Sequence, residues 1–310
     1  MDLAGHRIAI TGATGFLGRY VVRAVLDRDA IPVGVVRNPD RVPELAAAGI
    51  ELRRADLADP SALARGFAGC DAILSVAAMV SVGSMYTLRR KRRAAYIRTN
   101  VGGMRNVLEA AVKSGVKRIV HTSSANVYRD RRGPIREGAA LHDPTQHRLI
   151  ANSYSLSKAA AERLAWQFAA EQGLALTTLR PAGIFGAHDA TLMPWVRRLL
   201  RPPVSLFPAF TRLQLVHAGD VAAAALQSLA TDASIGQAYN VAGGDESLWE
   251  FANAWKAAGG RRPALLIPLP VPVRPLLDMS RIRRDLGWRP RSLREGLEET
   301  FGREAAAARQ

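Results

Sequence analysis

Thr11-Gly12-Ala13-Thr14-Gly15-Phe16-Leu17-Gly18 stands between an apolar run, residues 6–11, and a segment with apolar side chains at helical spacing, Tyr20, Val21, Val25 and Leu26. The run reads as a short buried strand. Three glycines at intervals of three between a strand and a helix have separate uses. Gly12 and Gly15 let the backbone approach a pyrophosphate, and Gly18 lets the helix lie close on the strand. The helix start offers unpaired N–H groups and the positive end of the helix dipole to an anion. The stretch therefore reads as a dinucleotide cradle, with Thr14, Phe16 and Leu17 completing its lining. It predicts an α/β fold built on a doubly wound parallel sheet.

The next strands place the rest of such a ligand. Residues 31–36 form a second strand that ends Val35-Val36-Arg37-Asn38-Pro39. An acid at this point would bind ribose hydroxyls and select NAD. None is present, so the cofactor expected is NADP, with NAD as the alternative. Arg37 is the expected contact to a 2′-phosphate and Arg41 its helper. A helix over 40–48 leads to a strand at 50–54, followed by Asp56 and Leu57. Asp56 has two readings, acceptor for the adenine amino group or cap of the helix begun at Pro60, although Asp59 is better placed to cap. The strand at 72–76 ends in Ala77-Ala78, whose small side chains leave room for a nicotinamide. A helix over 100–113 buries Val101, Met104, Val107, Leu108 and Ala111, and the strand at 118–122 ends in Ser123-Ser124. Strand ends of this kind face the ligand crevice, so Ser124 is the hydroxyl expected to hold a substrate carbonyl. A turn serine bonding only backbone is the other reading.

The chemistry is carried by Tyr154-Ser155-Leu156-Ser157-Lys158. A Tyr and a Lys four apart share one helical face. Lowering a phenol pKa by ~3 units from its usual ~10 takes ~4 kcal/mol. A unit charge ~4 Å away in a partly screened site supplies about that. Lys158 is therefore expected to make Tyr154 a usable proton donor and acceptor.

These motifs, with Asp56-Leu57, Asn100-Val101, Ser123-Ser124-Ala125-Asn126-Val127-Tyr128, Arg180-Pro181-Ala182-Gly183-Ile184-Phe185-Gly186 and Tyr239-Asn240-Val241, cover nearly the whole chain. In that order they resemble the extended short-chain dehydrogenase/reductase superfamily, nearest to its 3β-hydroxysteroid dehydrogenase and dihydroflavonol reductase branches. The resemblance implies a Rossmann domain, proton transfer by Tyr154, Lys158 on the nicotinamide ribose, and Ser124 polarising the carbonyl. It adds Ala77, Asn100, Pro181 and Ile184 to the cofactor contacts and suggests a homodimer through helices flanking the sheet. Ser75, Phe185 and Gly103-Met104 depart from the common pattern and bear on substrate class. Leu213-Gln214 stands where nucleotide-sugar epimerases carry Arg-Asp, which disfavours that reaction; Arg212, Arg197 and Arg198 remain candidates for a diphosphate.

Residues 1–180, with returns at about 213–242, are expected to form the cofactor domain. Residues 181–212 and 243–310 are expected to form a smaller, discontinuous substrate cap. Lys and Arg outnumber Asp and Glu by 43 to 27, a net charge of +16. The only lysines are Lys91, Lys113, Lys117, Lys158 and Lys256, and the arginines are dispersed. Biased composition explains this better than a nucleic-acid footprint. Arg89-Arg90-Lys91-Arg92-Arg93 is the local exception, read as a clamp for an acidic substrate group, as a contact to an anionic surface or as the solvated face of a helix start. A long connection at 129–151 reads as a partly mobile wall of the site. Its histidines lack ligand spacing, so no metal is expected. Cys70 is the only cysteine, a strand begins almost at once, and no apolar run approaches the ~20 residues of a membrane span. A cytoplasmic location is expected. The reaction expected is NADP-dependent reduction of a carbonyl or oxidation of an alcohol on a small organic substrate, an anionic one being among the candidates. Epimerisation or dehydration of a nucleotide sugar is the alternative, and a non-enzymatic NADP sensor the third reading.

Overall fold

Seven strands, β1 (Arg7–Thr11), β2 (Ile31–Val36), β3 (Glu51–Arg54), β4 (Ala72–Ser75), β5 (Arg118–Thr122), β6 (Ala175–Pro181) and β7 (Ala238–Val241), make one parallel sheet in the order 3-2-1-4-5-6-7. The coordinates are a computed structural model that describes residues 2–80, 90–129, 133–143, 153–200, 204–207, 212–261, 265–268 and 276–307. The order reverses between β1 and β4, which opens a crevice at the carboxyl ends of those strands.

The flanking helices are α1 (Phe16–Leu26), α2 (Pro60–Phe67), α3 (Gly103–Ser114), α4 (Ser153–Gln172) and α5 (Ala218–Ala230). Alternation along each strand divides the core between the two faces. On β1, Ile8 and Ile10 pack with Leu17, Val21 and Val25 of α1 and Val221, Ala225 and Leu229 of α5. Ala9, between them, joins the opposite layer with Leu63 and Phe67 of α2, Val107 and Leu108 of α3, and Ala161 and Ala165 of α4. Small residues on α4 let that helix lie close to its neighbours. Local signals fix the ends. Asp59 caps α2 by accepting from Ser61 N and Ala62 N, both at 2.9 Å, and Gly115 ends α3 with φ 76°.

A third apolar cluster gathers Phe185, Met193, Leu200, Leu215, Phe251, Trp255 and Leu297. It joins the helices Met193–Leu200, Leu248–Ala257 and Leu293–Ala307 to a parallel ribbon of Gly183–Phe185 with Leu215–His217. Among the described residues, no helix is long and apolar enough to cross a membrane.

Several boundaries differ from the sequence reading. The helix expected at residue 100 begins at Arg90, passes through a π-helical stretch, Ile97–Gly102, and continues into α3. Helix α5 begins at Ala218 with His217 as N-cap, and Asp220 in its first turn pairs with Arg291 at 2.9 Å. The helix Ser280–Leu286 was not expected. Part of the supposed mobile wall is anchored: Pro134–Ile135 pairs with Leu276–Leu277, and Tyr128 bridges Leu141. The rest of that connection, residues 130–132 and 144–152, lies outside the described residues, as does most of 263–275.

Gly18 shows how closely α1 is seated. A Cβ there would stand 1.9 Å from the Gly12 carbonyl oxygen, a backbone atom. Gly302, in the last helix, has nothing within 4 Å of a built Cβ. Gly18→Ala is expected to lower the urea midpoint, with a cost of about 1–3 kcal/mol or more. Gly302→Ala is expected to raise the midpoint, with a gain in stability of about 0.5–1 kcal/mol. Equal midpoints for the two variants would contradict the packing described.

Candidate active site

The carboxyl ends of β1 to β6 open into a cavity of about 840 Å³. Because the sheet order is 3-2-1-4-5-6, the cavity crosses from the ends of β3 and β2, over the glycine turn after β1, to the ends of β5 and β6. Gly12, Thr14, Gly15, Phe16, Leu17, Gly18, Arg37, Asp56, Leu57, Ala77, Ser124, Tyr154, Lys158, Pro181 and Ile184 all line it.

At its centre the glycine turn is held tightly. Gly12 has φ +74°, and a Cβ there would stand 2.9 Å from Ala77 Cα. Thr11 Oγ1 fixes the same approach by accepting from Val76 N at 3.2 Å and Ala77 N at 3.3 Å. Helix α1 starts at Gly15 with no side-chain cap and no acid in its first turn. Its first N–H groups are thus left for an external acceptor facing the cavity. This donor set suits a diphosphate.

On the β2–β3 side Arg37 is exposed and forms no ion pair among the described residues, while Asp40 is engaged by Arg54 at 2.7 Å. The two readings of Asp56 separate here. Asp59 is the helix cap, and Asp56 uses only Oδ1, which accepts from Ala58 N at 2.8 Å.

On the β5–β6 side the reactive groups meet. Ser124 is extended, its Oγ accepts from Asn126 N at 3.2 Å, and it lines the cavity together with Tyr154, whose pKa its side chain lowers. Lys158 is 2% exposed and its Nζ donates to Thr122 O at 2.7 Å. Burial pulls the Lys158 pKa down to about 8, against the opposing charge of Glu162. Burial also raises the Tyr154 phenol above its usual value; the Ser124 side chain opposes this, and Tyr96, whose ring is 6.2 Å away, adds to it. The expected lowering of Tyr154 by Lys158 is therefore corrected: the ammonium points to a carbonyl, and desolvation dominates the phenol.

Asn100 lies behind the cavity wall and does not line it. Its Oδ1 accepts from Met79 N at 2.7 Å and its Nδ2 donates to Ser157 Oγ at 2.9 Å, so it ties the exit of β4 to α4. Of the basic block, Lys91, Arg92 and Arg93 are exposed and line no part of the cavity; Arg89 lies outside the described residues.

The sequence reading missed a buried polar network under the site. Glu162 is fully buried and accepts from Ser123 Oγ at 2.5 Å and Arg180 Nε at 2.9 Å. Arg180 also donates to Tyr128 OH at 2.9 Å and Glu137 O at 2.7 Å. Tyr128 OH in turn donates to Asn240 Oδ1 at 2.6 Å. Glu162 follows Lys158 by the interval that separates Tyr154 from Lys158, which was the available signal.

A buried lysine of this kind can be observed directly. In protein labelled with 13C-lysine, the Lys158 Cε resonance, assigned by its loss in Lys158→Arg, is expected to titrate with a midpoint near pH 8. A midpoint above ~10, the ordinary range, would contradict the burial described.

The comparisons with known proteins agree with this architecture. The chain is 28% identical over 299 residues to 3beta-hydroxysteroid-dehydrogenase/decarboxylase isoform 1 of Arabidopsis thaliana, covering 87% of this chain and 66% of that protein. It is 31% identical over 196 residues to cinnamoyl-CoA reductase 1 of Petunia hybrida, covering 60% and 56%. The chain thus spans less than two thirds of the length of either relative. A solved structure of UDP-glucose-4-epimerase from Stenotrophomonas maltophila with bound NAD and formylated UDP-arabinopyranose superposes with a TM-score of 0.81 at 23% identity, covering 98% of this chain and 99% of that one, which establishes the shared fold. The model of the NAD dependent epimerase/dehydratase family matches residues 8–242, from the first strand through β7. The chain belongs to the NAD-dependent epimerase/dehydratase family, within the extended short-chain dehydrogenase/reductase superfamily.

Proposed function

We propose that the protein is an NADP-dependent oxidoreductase, a carbonyl reductase or alcohol dehydrogenase acting on a small organic substrate. The observation that carries this reading is the meeting of Ser124, Tyr154 and Lys158 in the lining of one end of a dinucleotide-sized cavity. The relatives' names, a dehydrogenase and a reductase, support the same class.

The residues fit a dinucleotide in one orientation. Gly12, Thr14, Gly15, Phe16, Leu17 and Gly18 suit the diphosphate. Arg37, Asp56 and Leu57 suit the adenosine half, with Arg37 on a 2′-phosphate. Ala77, Pro181 and Ile184 border the nicotinamide half, beside Tyr154 and Lys158. When bound, the cofactor supplies or accepts hydride. The protein's own task is the proton. Ser124 and Tyr154 line the same end of the cavity, so a substrate carbonyl oxygen placed between them meets two hydroxyl donors. With the phenol held above its usual pKa, Tyr154 is protonated near neutrality and is set to give its proton to a forming alkoxide. Reduction is the direction this favours. Lys158 donates to a ribose hydroxyl, and Thr191 and Leu192, from the proposed cap, close the substrate side.

A nucleotide-sugar reaction is less well supported. Arg212 donates to Asp245 O at 2.6 Å, Arg197 pairs with Glu304, and neither arginine lines the cavity. Arg212 and Arg197 would have to leave carboxylate or carbonyl partners to meet a diphosphate.

Tyr154→Phe is expected to leave folding and cofactor affinity nearly intact and to lower kcat by about 100-fold or more; near-wild-type turnover would remove Tyr154 from the reaction. Isothermal titration should show NADP(H) bound more tightly than NAD(H), and Arg37→Ala should remove that preference by weakening NADP(H) about 10-fold or more. Preference for NAD(H) in the wild-type protein would overturn the assignment of Arg37. Alcohol oxidation is expected to rise with pH as the phenol ionises, while carbonyl reduction should show no such rise. Parallel pH profiles for the two directions would count against Tyr154 as the proton carrier.

A further inference from the structure

Glu162 is absent from the cavity lining, yet its carboxylate is bonded to the residues that precede Ser124 and Pro181 in the chain. Its carboxylate accepts from Ser123 Oγ at 2.5 Å, Arg180 Nε at 2.9 Å and Trp166 Nε1 at 3.3 Å, and its side chain is 0% exposed. Ser123 precedes Ser124 in the chain, and its own N–H is fixed to Leu179 O at 2.7 Å. Arg180 precedes Pro181, the cavity wall beyond β6. Lys158 lies one turn before Glu162 on the same face of α4, and Tyr154 lies two turns before it.

We propose that Glu162 is a positioning residue for the reaction: its carboxylate holds Ser124 and Pro181 in place through Ser123 and Arg180, and provides the counter-charge for the Lys158 ammonium. This rests on the roles proposed above for Tyr154, Ser124 and Lys158.

The charges around Lys158 define what Glu162 must do. On α4 itself the neighbours are Tyr154 and Glu162. From β5 comes His121, 3% exposed, whose ring nitrogens have no partner among the described residues. Burial first, and the Lys158 charge second, keep that imidazole neutral. From β6 comes Arg180, a second buried cation, and from the segment after β5 come Tyr128, pushed up to about 12 by burial, and Glu137, which accepts from Asn240 N at 3.1 Å. Tyr96, from the helix before α3, faces Tyr154. Two buried cations thus lie in this layer, and Glu162 is the carboxylate in contact with one and raising the pKa of the other. A buried cation deprived of its partner is costly, and a lysine escapes that cost by losing its proton.

The test compares Glu162→Gln, which keeps the shape and removes the charge, with Glu162→Asp, which keeps the charge and shortens the reach. Two readouts are taken: the 13C midpoint of Lys158, and kcat/KM for NADPH-driven reduction of a carbonyl that the wild-type protein turns over. Glu162→Gln is expected to move the midpoint down by about 1–3 units and to lower kcat/KM at neutral pH by about 10–100-fold. Glu162→Asp is expected to hold the midpoint near that of the wild type and to recover part of the activity. Should Glu162→Gln fail to fold, Glu162→Gln/Arg180→Met removes both members of the ion pair and is expected to show a drop in midpoint that is smaller, because a buried cation is lost with the carboxylate. An unchanged midpoint in the folded variant would overturn the proposal. The midpoint is read without turnover, so it stands apart from the proposed reaction: a wild-type protein inert toward every carbonyl would sink the reaction and leave the effect of Glu162 on Lys158 measurable.

Discussion

Three side chains at four-residue intervals on α4 engage three consecutive residues at the end of β5: Tyr154 with Ser124, Lys158 with Thr122, and Glu162 with Ser123. The rest of the site depends on this contact between helix and strand end. Four residues of helix advance about 6 Å and return to the same face. The polar groups on that face are taken out of water, where an unpaired charge or hydroxyl would cost several kcal/mol. Each is instead matched to a carbonyl, a hydroxyl or a guanidinium. The arrangement leaves Tyr154, Ser124 and Lys158 in the cavity lining and places Glu162 one layer below.

The second constraint is the approach of α1 and β4 to the turn after β1. Gly12 and Gly18 are both packed where a side chain would strike backbone. This closeness brings the start of α1 to the switch point of the sheet, where unpaired N–H groups meet the cavity. The glycine pattern therefore has a packing reason that stands without any ligand, and the donor groups it exposes are the reason the cavity suits a diphosphate.

Much of this was legible in the residues. β1, β2 and β4 were readable as short apolar runs, and β2 and β5 fall on the expected boundaries. The lining residues were readable because crevice positions follow strand ends. The buried network was not, because Glu162, Arg180, Tyr128 and Asn240 come from four separate elements and carry no local pattern; only the repeat of four from Tyr154 hinted at Glu162. The effect of Lys158 on Tyr154 was misjudged for a related reason. Sequence spacing gives the charge and its rough distance, whereas the direction of the ammonium and the degree of burial depend on packing. Asn100 was placed against the cofactor, but the π-helical stretch turns its amide toward Met79 and Ser157.

The proposed reductase differs from an epimerase in the fate of one hydrogen. Incubating the protein with NADPH deuterated at the transferable C4 position and a panel of carbonyl compounds, then weighing the alcohol products by mass spectrometry, follows that hydrogen. The expected result is one deuterium at the former carbonyl carbon, with a matching amount of NADP released. Substrate isomerised without uptake of deuterium or net loss of cofactor would contradict the account and assign the site to epimerisation.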